Sequence, residues 1–542
     1  MQNLYLLGGF FEGLFWLLLS WEPDAYLYIG ITSLYLNHST GACLLQDGIF
    51  HKSALKLLWK TQIPGFPPIF PLTFFAIRSI MEVLGRLASL LSVTQRSRSM
   101  NIQLSDHFTY SRLLRFTLPS IAMMIFTSIY GVVDGIFVSN FAGKTAFSAV
   151  NLIMPYVMVF GTLGFMMGTG GTALISMTLG AGDRRKANEI FSLLTYTAIA
   201  GGIVLTVLSI AFMRPAARLL GAEGQMLEDA VLYGCIVQSA LTAYILQFAF
   251  QSFCVAAEKP NLSLGMTIAS GCTNIVLDAL FVGLFRWGLV GAAVATAIAQ
   301  ILGAVIPVVY FARPNSSLLK LGRCTFDGRA LLRTATNGSS ELMSNLSMSL
   351  VSMLYNLQLM THAGEDGIAA YGVIMYVNFI FIAVFIGIAI GAAPIVGFNH
   401  GAQNHGELKN VLKKCLVLLM LCAVALTVMA ELISQPLAGI FVGYDPALHD
   451  MTTRGFRIYI LSFLLCGFNI FGSSFFTALN NGLISALISF LRTLVFQIGA
   501  VLLLPMLFGL DGIWWSVVAA ELGSLALTGF FMLKYRGRYH YG

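Results

Sequence analysis

The sequence predicts an all-α polytopic membrane protein, with twelve transmembrane helices in two parallel-repeat six-helix lobes. Three observations carry this prediction: the composition, the number of apolar runs and an internal repeat. The chain is 57% hydrophobic and only 10% charged, where a soluble domain carries about 25% charged residues. Its 53 glycines suit helices that pack closely in lipid. The net charge of +7 does not point to nucleic acid, because the basic residues lie in short loops between apolar runs. The eight cysteines include no CxxC pair and fall mostly in apolar runs. They read as small buried hydrophobes rather than as metal ligands or disulfides.

From residue 100 onward twelve apolar runs are long enough to span a bilayer, which takes about 20 residues. The first six lie near 115–139, 147–178, 190–212, 227–254, 262–285 and 288–311. The second six lie near 338–361, 367–397, 411–432, 455–478, 483–507 and 511–533. The intervening loops and the tail put seventeen Lys and Arg residues, among them Arg112, Arg184, Lys320 and Lys534, on one side. Six, among them Lys144 and Arg454, fall on the other. By the positive-inside rule both termini of the bundle are cytoplasmic.

The halves repeat at an offset of 221 residues. Gly143 matches Gly364, Gly180 matches Gly401, Pro215 matches Pro436 and Gly291 matches Gly512. Six spans per half is an even number, so both halves enter from the same side, and the axis relating them runs along the membrane normal. The expected organisation is a first lobe over 100–312, a cytoplasmic linker over 313–337, a second lobe over 338–535 and a tail over 536–542. Residues 1–99 do not share this pattern. They read either as an over-extended reading frame ahead of a natural start at Met100, or as accessory helices outside the bundle.

The run FTLPSIAMMIFTSIYGVVD, Phe116 to Asp134, is the centre of the functional reading. It carries a proline, Pro119, and ends its hydrophobic stretch on a carboxylate. A charged side chain inside a span costs about 2.5–3.5 kcal/mol on insertion scales, so it is normally retained for a purpose. A second acid, Asp278, lies in span five, four residues after Asn274 and hence on the same helix face. Thr296 follows in span six. Two carboxylates with amide and hydroxyl oxygens suit a hard monovalent cation or a proton. The repeat sets Asp134 against Tyr355 and Asp278 against Gly499, so the acids belong to the first half alone. The alternative is that both acids bond or cap neighbouring helices.

Glu341, near the start of span seven, reads either as an interfacial solvated acid or as a second-half contact for a cation or substrate. Met154 and Met158, with Met343, Met348 and other methionines of the first two spans in each half, suit a promiscuous apolar cavity, or else ordinary packing. Arg492 in span eleven either snorkels or pairs with an acid and is assigned no role, and Glu521, matched to Gln300, reads as lining the cleft. AGKT at 142–145 is not a P-loop, because Val138 stands where the required glycine would be. There is no HExxH and no GxSxG, so no enzyme site is expected and no organic cofactor.

The run VVDGIFVSNFAG, then AFSAVNLIMP and GTGGTALISMTLGAGDRRKA, resembles the multidrug and toxic compound extrusion (MATE) family of cation-coupled efflux transporters. The resemblance covers about residues 105–535 and is closest to the bacterial branch with an acid in the first span. It implies a monomer of two six-helix lobes in the inner membrane, exporting cationic amphipathic drugs in exchange for Na⁺ or H⁺. It also implies a first-lobe cation site of Asp134, Asn274, Asp278 and Thr296, with Tyr233 close by and Pro119 bending the first span. Span ten has no acid here, which departs from branches with a second-lobe site. The competing reading is a lipid-linked saccharide flippase of the same helical plan, which would need a strongly basic cavity.

Overall fold

Helix ends in this chain are set by turn chemistry, and the turns reveal the architecture. The structure, a computed structural model, describes residues 102–138, 144–443 and 445–542. The expectations for residues 1–99, including Cys43, lie outside the described residues. The first half comprises α1 (Tyr110–Phe137), α2 (Lys144–Gly180), α3 (Arg184–Ala211), the short α4 (Met213–Leu219), α5 (Gly224–Ser239) and α6 (Leu241–Ala256). Then come α7 (Pro260–Asp278), prolonged by a π-helical turn over Ala279–Leu284, and α8 (Gly288–Ala312). The second half comprises α9 (Gly328–Gly401), α10 (His405–Val442), α11 (Pro446–Tyr459), α12 (Phe463–Ala478), α13 (Gly482–Phe490), α14 (Gln497–Phe508) and α15 (Leu510–Tyr539).

Among the described residues ten helices are long and apolar enough to cross a membrane, or eleven when α5 and α6, bent by 55°, count as one broken span. The 74 residues of α9 would reach about 110 Å if straight, far beyond the roughly 30 Å hydrocarbon core. The helix instead breaks at Gly364, with φ 62° and ψ −148°, a conformation essentially reserved for glycine and costing other residues about 1–3 kcal/mol. Tyr355 and Tyr371 flank the break. On a straight helix they would stand about 24 Å apart, yet their rings stack at 5.3 Å with planes 2° apart. The chain therefore reverses at Gly364 and α9 is two spans, which brings the eleven to twelve.

Two boundaries differ from the expected ones. The helix α9 already begins at Gly328, capped by Asp327, whose side chain accepts from the backbone N–H of Arg329 and Ala330. The last two fifths of the expected linker are thus helical, because an Asp N-cap precedes them. The helix α15 likewise continues to Tyr539, into the expected tail. The rest of the linker docks on α3: Lys320 N–H donates to Asn188 Oδ1 at 2.7 Å and Gly322 N–H to Ser192 Oγ at 3.0 Å.

The repeat is visible in backbone detail. Gly182 and Gln403 both take positive φ (87° and 55°), as do Gly288 and Gly509 (54° and 59°), each pair at offset 221. Asp183 and Asn404 cap α3 and α10 alike, each accepting from the N–H three residues on. The corresponding turns before α7 and α13, however, put positive φ at Glu258 and Asn480, an offset of 222. The offset of 221 is therefore not kept throughout: the second half gains a residue between Pro436 and Asn480 and loses it again before Gly509.

The halves meet through glycines, as lipid-embedded helices do when backbones must approach closely. A Cβ on Gly180 would lie 1.9 Å from the Phe398 carbonyl oxygen, and one on Gly401 would lie 2.0 Å from that of Met177. Gly180 matches Gly401 and Met177 matches Phe398 at the 221 offset, so this crossing is isologous, as a two-fold axis requires. Thr117 against Gly391 repeats as Gly338 against Gly170. The entry segment before α1 also ties the halves together. Leu104 N–H donates to Glu258 Oε1 at 2.6 Å, and Phe108 N–H to Glu407 Oε1 at 2.8 Å.

Candidate functional site

Gly271 sets the geometry of the first-half acid cluster. A Cβ there would lie 2.5 Å from the Phe126 ring and 3.0 Å from Tyr130, so α7 lies directly on α1 at this point. Residues 271, 274 and 278 share one face of α7, and 126, 130 and 134 share one face of α1. Contact at the first pair therefore carries Asn274 and Asp278 onto Tyr130 and Asp134. Asp278, Asn274 and Thr296 surround the Asp134 carboxyl, and Tyr130 stands beside it. Asn274 Nδ2 donates to Thr296 Oγ1 at 3.4 Å. The fully buried Tyr233 of α5 lies close to both acids. Gly271 and Tyr130 escaped the sequence reading, although Gly271 shares the face of Asn274 and Asp278.

The cluster is rich in oxygens that have no donor. Asp134 Oδ1, both carboxylate oxygens of Asp278, Asn274 Oδ1 and the Tyr233 hydroxyl are buried without a hydrogen-bond partner. Buried polar atoms are nearly always satisfied, so such a concentration of unpartnered acceptors is unusual. Two neighbouring carboxylates in an apolar wall repel one another, and a shared proton or a bound monovalent cation relieves both the repulsion and the unmet acceptors. Directly after Asp278 the helix changes to a π turn, Ala279–Leu284, the kind of local irregularity common at functional sites.

The structure does not bring every singled-out residue to this cluster. Pro119 is buried in α1 between Thr117 and Ile121, which face Gly391 and Gly387 of α9. It therefore sits at the crossing of the halves, about four turns before Asp134. Glu341 is half-buried in the first arm of α9, and Asn345 bonds its backbone carbonyl at 2.9 Å rather than its carboxylate. Met158 is 50% exposed and receives the Tyr244 hydroxyl at 3.8 Å. Met154 packs against the core of the first half, and Met123 is fully buried. In the second half the equivalent of Asp134, Tyr355, is buried in its stack on Tyr371. The equivalent of Asp278 is Gly499, or Ala500 at the shifted offset; neither is an acid.

Comparison with known proteins agrees with this architecture. The MatE family profile matches twice, over residues 119–280 and 342–502, one match in each half. The multidrug export protein MepA of Staphylococcus aureus (strain MRSA252) is 26% identical over 428 residues, 79% of this chain and 93% of the relative. The MepA protein of Staphylococcus saprophyticus is 25% identical over 413 residues, 76% of this chain and 91% of that protein. Among solved structures, a MATE protein in complex with MaL6 superimposes with a TM-score of 0.77 at 21% identity, covering 82% of this chain and 99% of the other. An outward-facing MATE-family multidrug resistance transporter gives 0.76 at 21% identity with the same coverage. With the family profile matching most of the twelve-span region in two copies, the chain belongs to the MatE family, the multidrug and toxic compound extrusion transporters.

Proposed function

We propose that the protein is a secondary active transporter that exports cationic amphipathic drugs or toxins from the cell, in antiport with Na⁺ or H⁺. The observation that carries this reading is the group of unpartnered oxygens at Asp134, Asn274 and Asp278, in the first half alone. A site of that kind changes its charge when it exchanges an ion, and a transporter moves between states only to the extent that its ligands prefer one of them. In this reading a cation or proton at the pair stabilises one packing of α1 on α7, its loss stabilises another, and the two lobes rock accordingly. The MepA relatives, named as multidrug export proteins, support drugs as the substrate class. The proposed orientation places both termini of the bundle in the cytoplasm of a cell whose inner membrane holds the protein as a monomer.

A phosphate-bearing lipid substrate fits less well, because the deep basic residue it would use, Arg492, is held by Glu521. Efflux of a cationic dye from proteoliposomes, driven separately by a Na⁺ and by a proton gradient, tests the reading. Export under one gradient is expected. Absence of dye movement under both would overturn it.

A further inference from the structure

The second half holds a buried charge cluster of its own. Arg492 lies in the π-helical turn Leu491–Phe496, between α13 and α14, and Glu521 lies in α15. The guanidinium engages both carboxylate oxygens: Arg492 Nη2 donates to Glu521 Oε1 at 2.8 Å, and Nε is shared between Oε1 at 3.0 Å and Oε2 at 3.2 Å. Asn469 of α12 completes the cluster, its Nδ2 donating to Glu521 Oε2 at 2.7 Å. Arg492 and Glu521 side chains are 16% and 7% exposed, and Asn469 is fully buried. Each charged residue is ten or more residues from both ends of its span, Gly482–Phe508 and Leu510–Tyr539, hence about 15 Å or more inside it. Asn469 Oδ1 is buried and unpartnered. The groups facing the pair are neutral: Tyr355, Tyr459 and Cys466 stand beside Glu521, and Cys466 and Tyr459 also stand beside Arg492.

The first half carries neutral residues at the same three positions. At offset 222 Asn469 matches Gln247 and Arg492 matches Ser270, and at 221 Glu521 matches Gln300. Gln247 Nε2 donates to Ser270 Oγ at 3.3 Å, and Ser270 Oγ donates to the Ala299 carbonyl at 2.8 Å. The second half has thus acquired both an acid and a cation at one place. The first half carries Asp278 about two turns further along α7, beside Asp134 of α1, with no basic residue among the groups around them.

We propose that Arg492 is a tethered cation. Its guanidinium permanently fills a carboxylate-and-amide site in the second lobe that would otherwise take a free monovalent cation, so the second lobe exchanges no coupling ion. The planar guanidinium matches a carboxylate bidentately and delivers one positive charge where a dehydrated Na⁺ would deliver the same. This deepens the antiport reading, by fixing how many ions the protein exchanges, and it rests on that reading only for the first lobe.

The test is cation binding to the purified full-length protein in an Asp278→Asn background, so that the first-lobe site does not contribute. The probes are ²²Na⁺ at alkaline pH and methylguanidinium. The D278N parent is expected to bind neither. D278N/R492A is expected to bind one Na⁺ or one methylguanidinium per chain, with a raised melting temperature, and adding Glu521→Gln is expected to abolish both effects. Arg492→Met with Glu521→Gln removes both charges at similar volume, which buried pairs often tolerate. In the D278N background that double variant is expected to fold and to bind neither probe; made with Asp278 intact, it is expected to keep transport activity. Recovery of R492A only in the presence of a probe cation would also be the expected result. The proposal is overturned if R492A binds neither cation in a Glu521-dependent way, or if neither cation recovers it while R492M/E521Q is recovered. Na⁺ binding that persists in the D278N parent would count against the first-lobe assignment and leave the R492A comparison intact.

Discussion

Asp278→Asn is expected to remove gradient-driven export while leaving the protein folded and in the membrane. Asn is nearly isosteric, so packing against α1 survives, and its amide can donate to the Asp134 oxygen that has no partner. What disappears is one of the two like charges, and with it the need for a cation or shared proton. The variant would rest as though permanently loaded. Coupling free energies of 1–3 kcal/mol correspond to about 5- to 150-fold effects, so initial dye efflux should fall within that range toward leak. Asp134→Asn should behave alike, and the double variant should be no worse than either single one, because the two carboxylates act as a unit. Efflux by D278N at the wild-type rate would make the acids structural.

Valine at both Gly180 and Gly401 is the second large effect. Each Cβ would lie within 2.0 Å of a carbonyl oxygen across the pseudo-two-fold crossing. Backbone cannot yield as a side-chain tip can, so the lobes must separate at that end. Overpacking costs about 1–3 kcal/mol per site, and about 1.4 kcal/mol is a tenfold change in a conformational equilibrium. Ser176 is buried at the same crossing, against Gly397. A cysteine placed there should react with a methanethiosulfonate reagent at least about tenfold faster in the double variant, and export should fall with it. Gly201→Val is the control, since a Cβ at Gly201 meets nothing within 4 Å. Equal labelling in the double variant and the parent would mean that the crossing does not hold the lobes together.

The parts of this account legible in the sequence were those with a local signature. Asn274 and Asp278 declared themselves by four-residue spacing in an apolar run, and the repeat removed the second half from the search for acids. Tyr233 was reachable through family resemblance alone, because a tyrosine in an apolar helix has no distinguishing pattern. Gly271, Gly180 and Gly401 were illegible as contact points: a missing side chain acquires meaning only from what approaches it. The Arg492–Glu521 pair was missed for a related reason. The partners lie on different spans, and their counterparts in the first half are neutral, so neither the periodicity nor the repeat joined them. The one-residue slip near Asn480 also hid the match of Arg492 with Ser270. The reversal at Gly364 needed its backbone angles, whereas the existence of two spans there followed from length.

The central claim is that the first-half acids hold the ion that substrate exchange displaces. The most direct test counts that ion: cationic substrate is titrated into purified protein while bound ²²Na⁺ and released protons are followed together. The account predicts that wild type gives up one Na⁺ or one proton per substrate bound, and that Asp278→Asn gives up neither. Equal release from wild type and variant would contradict it.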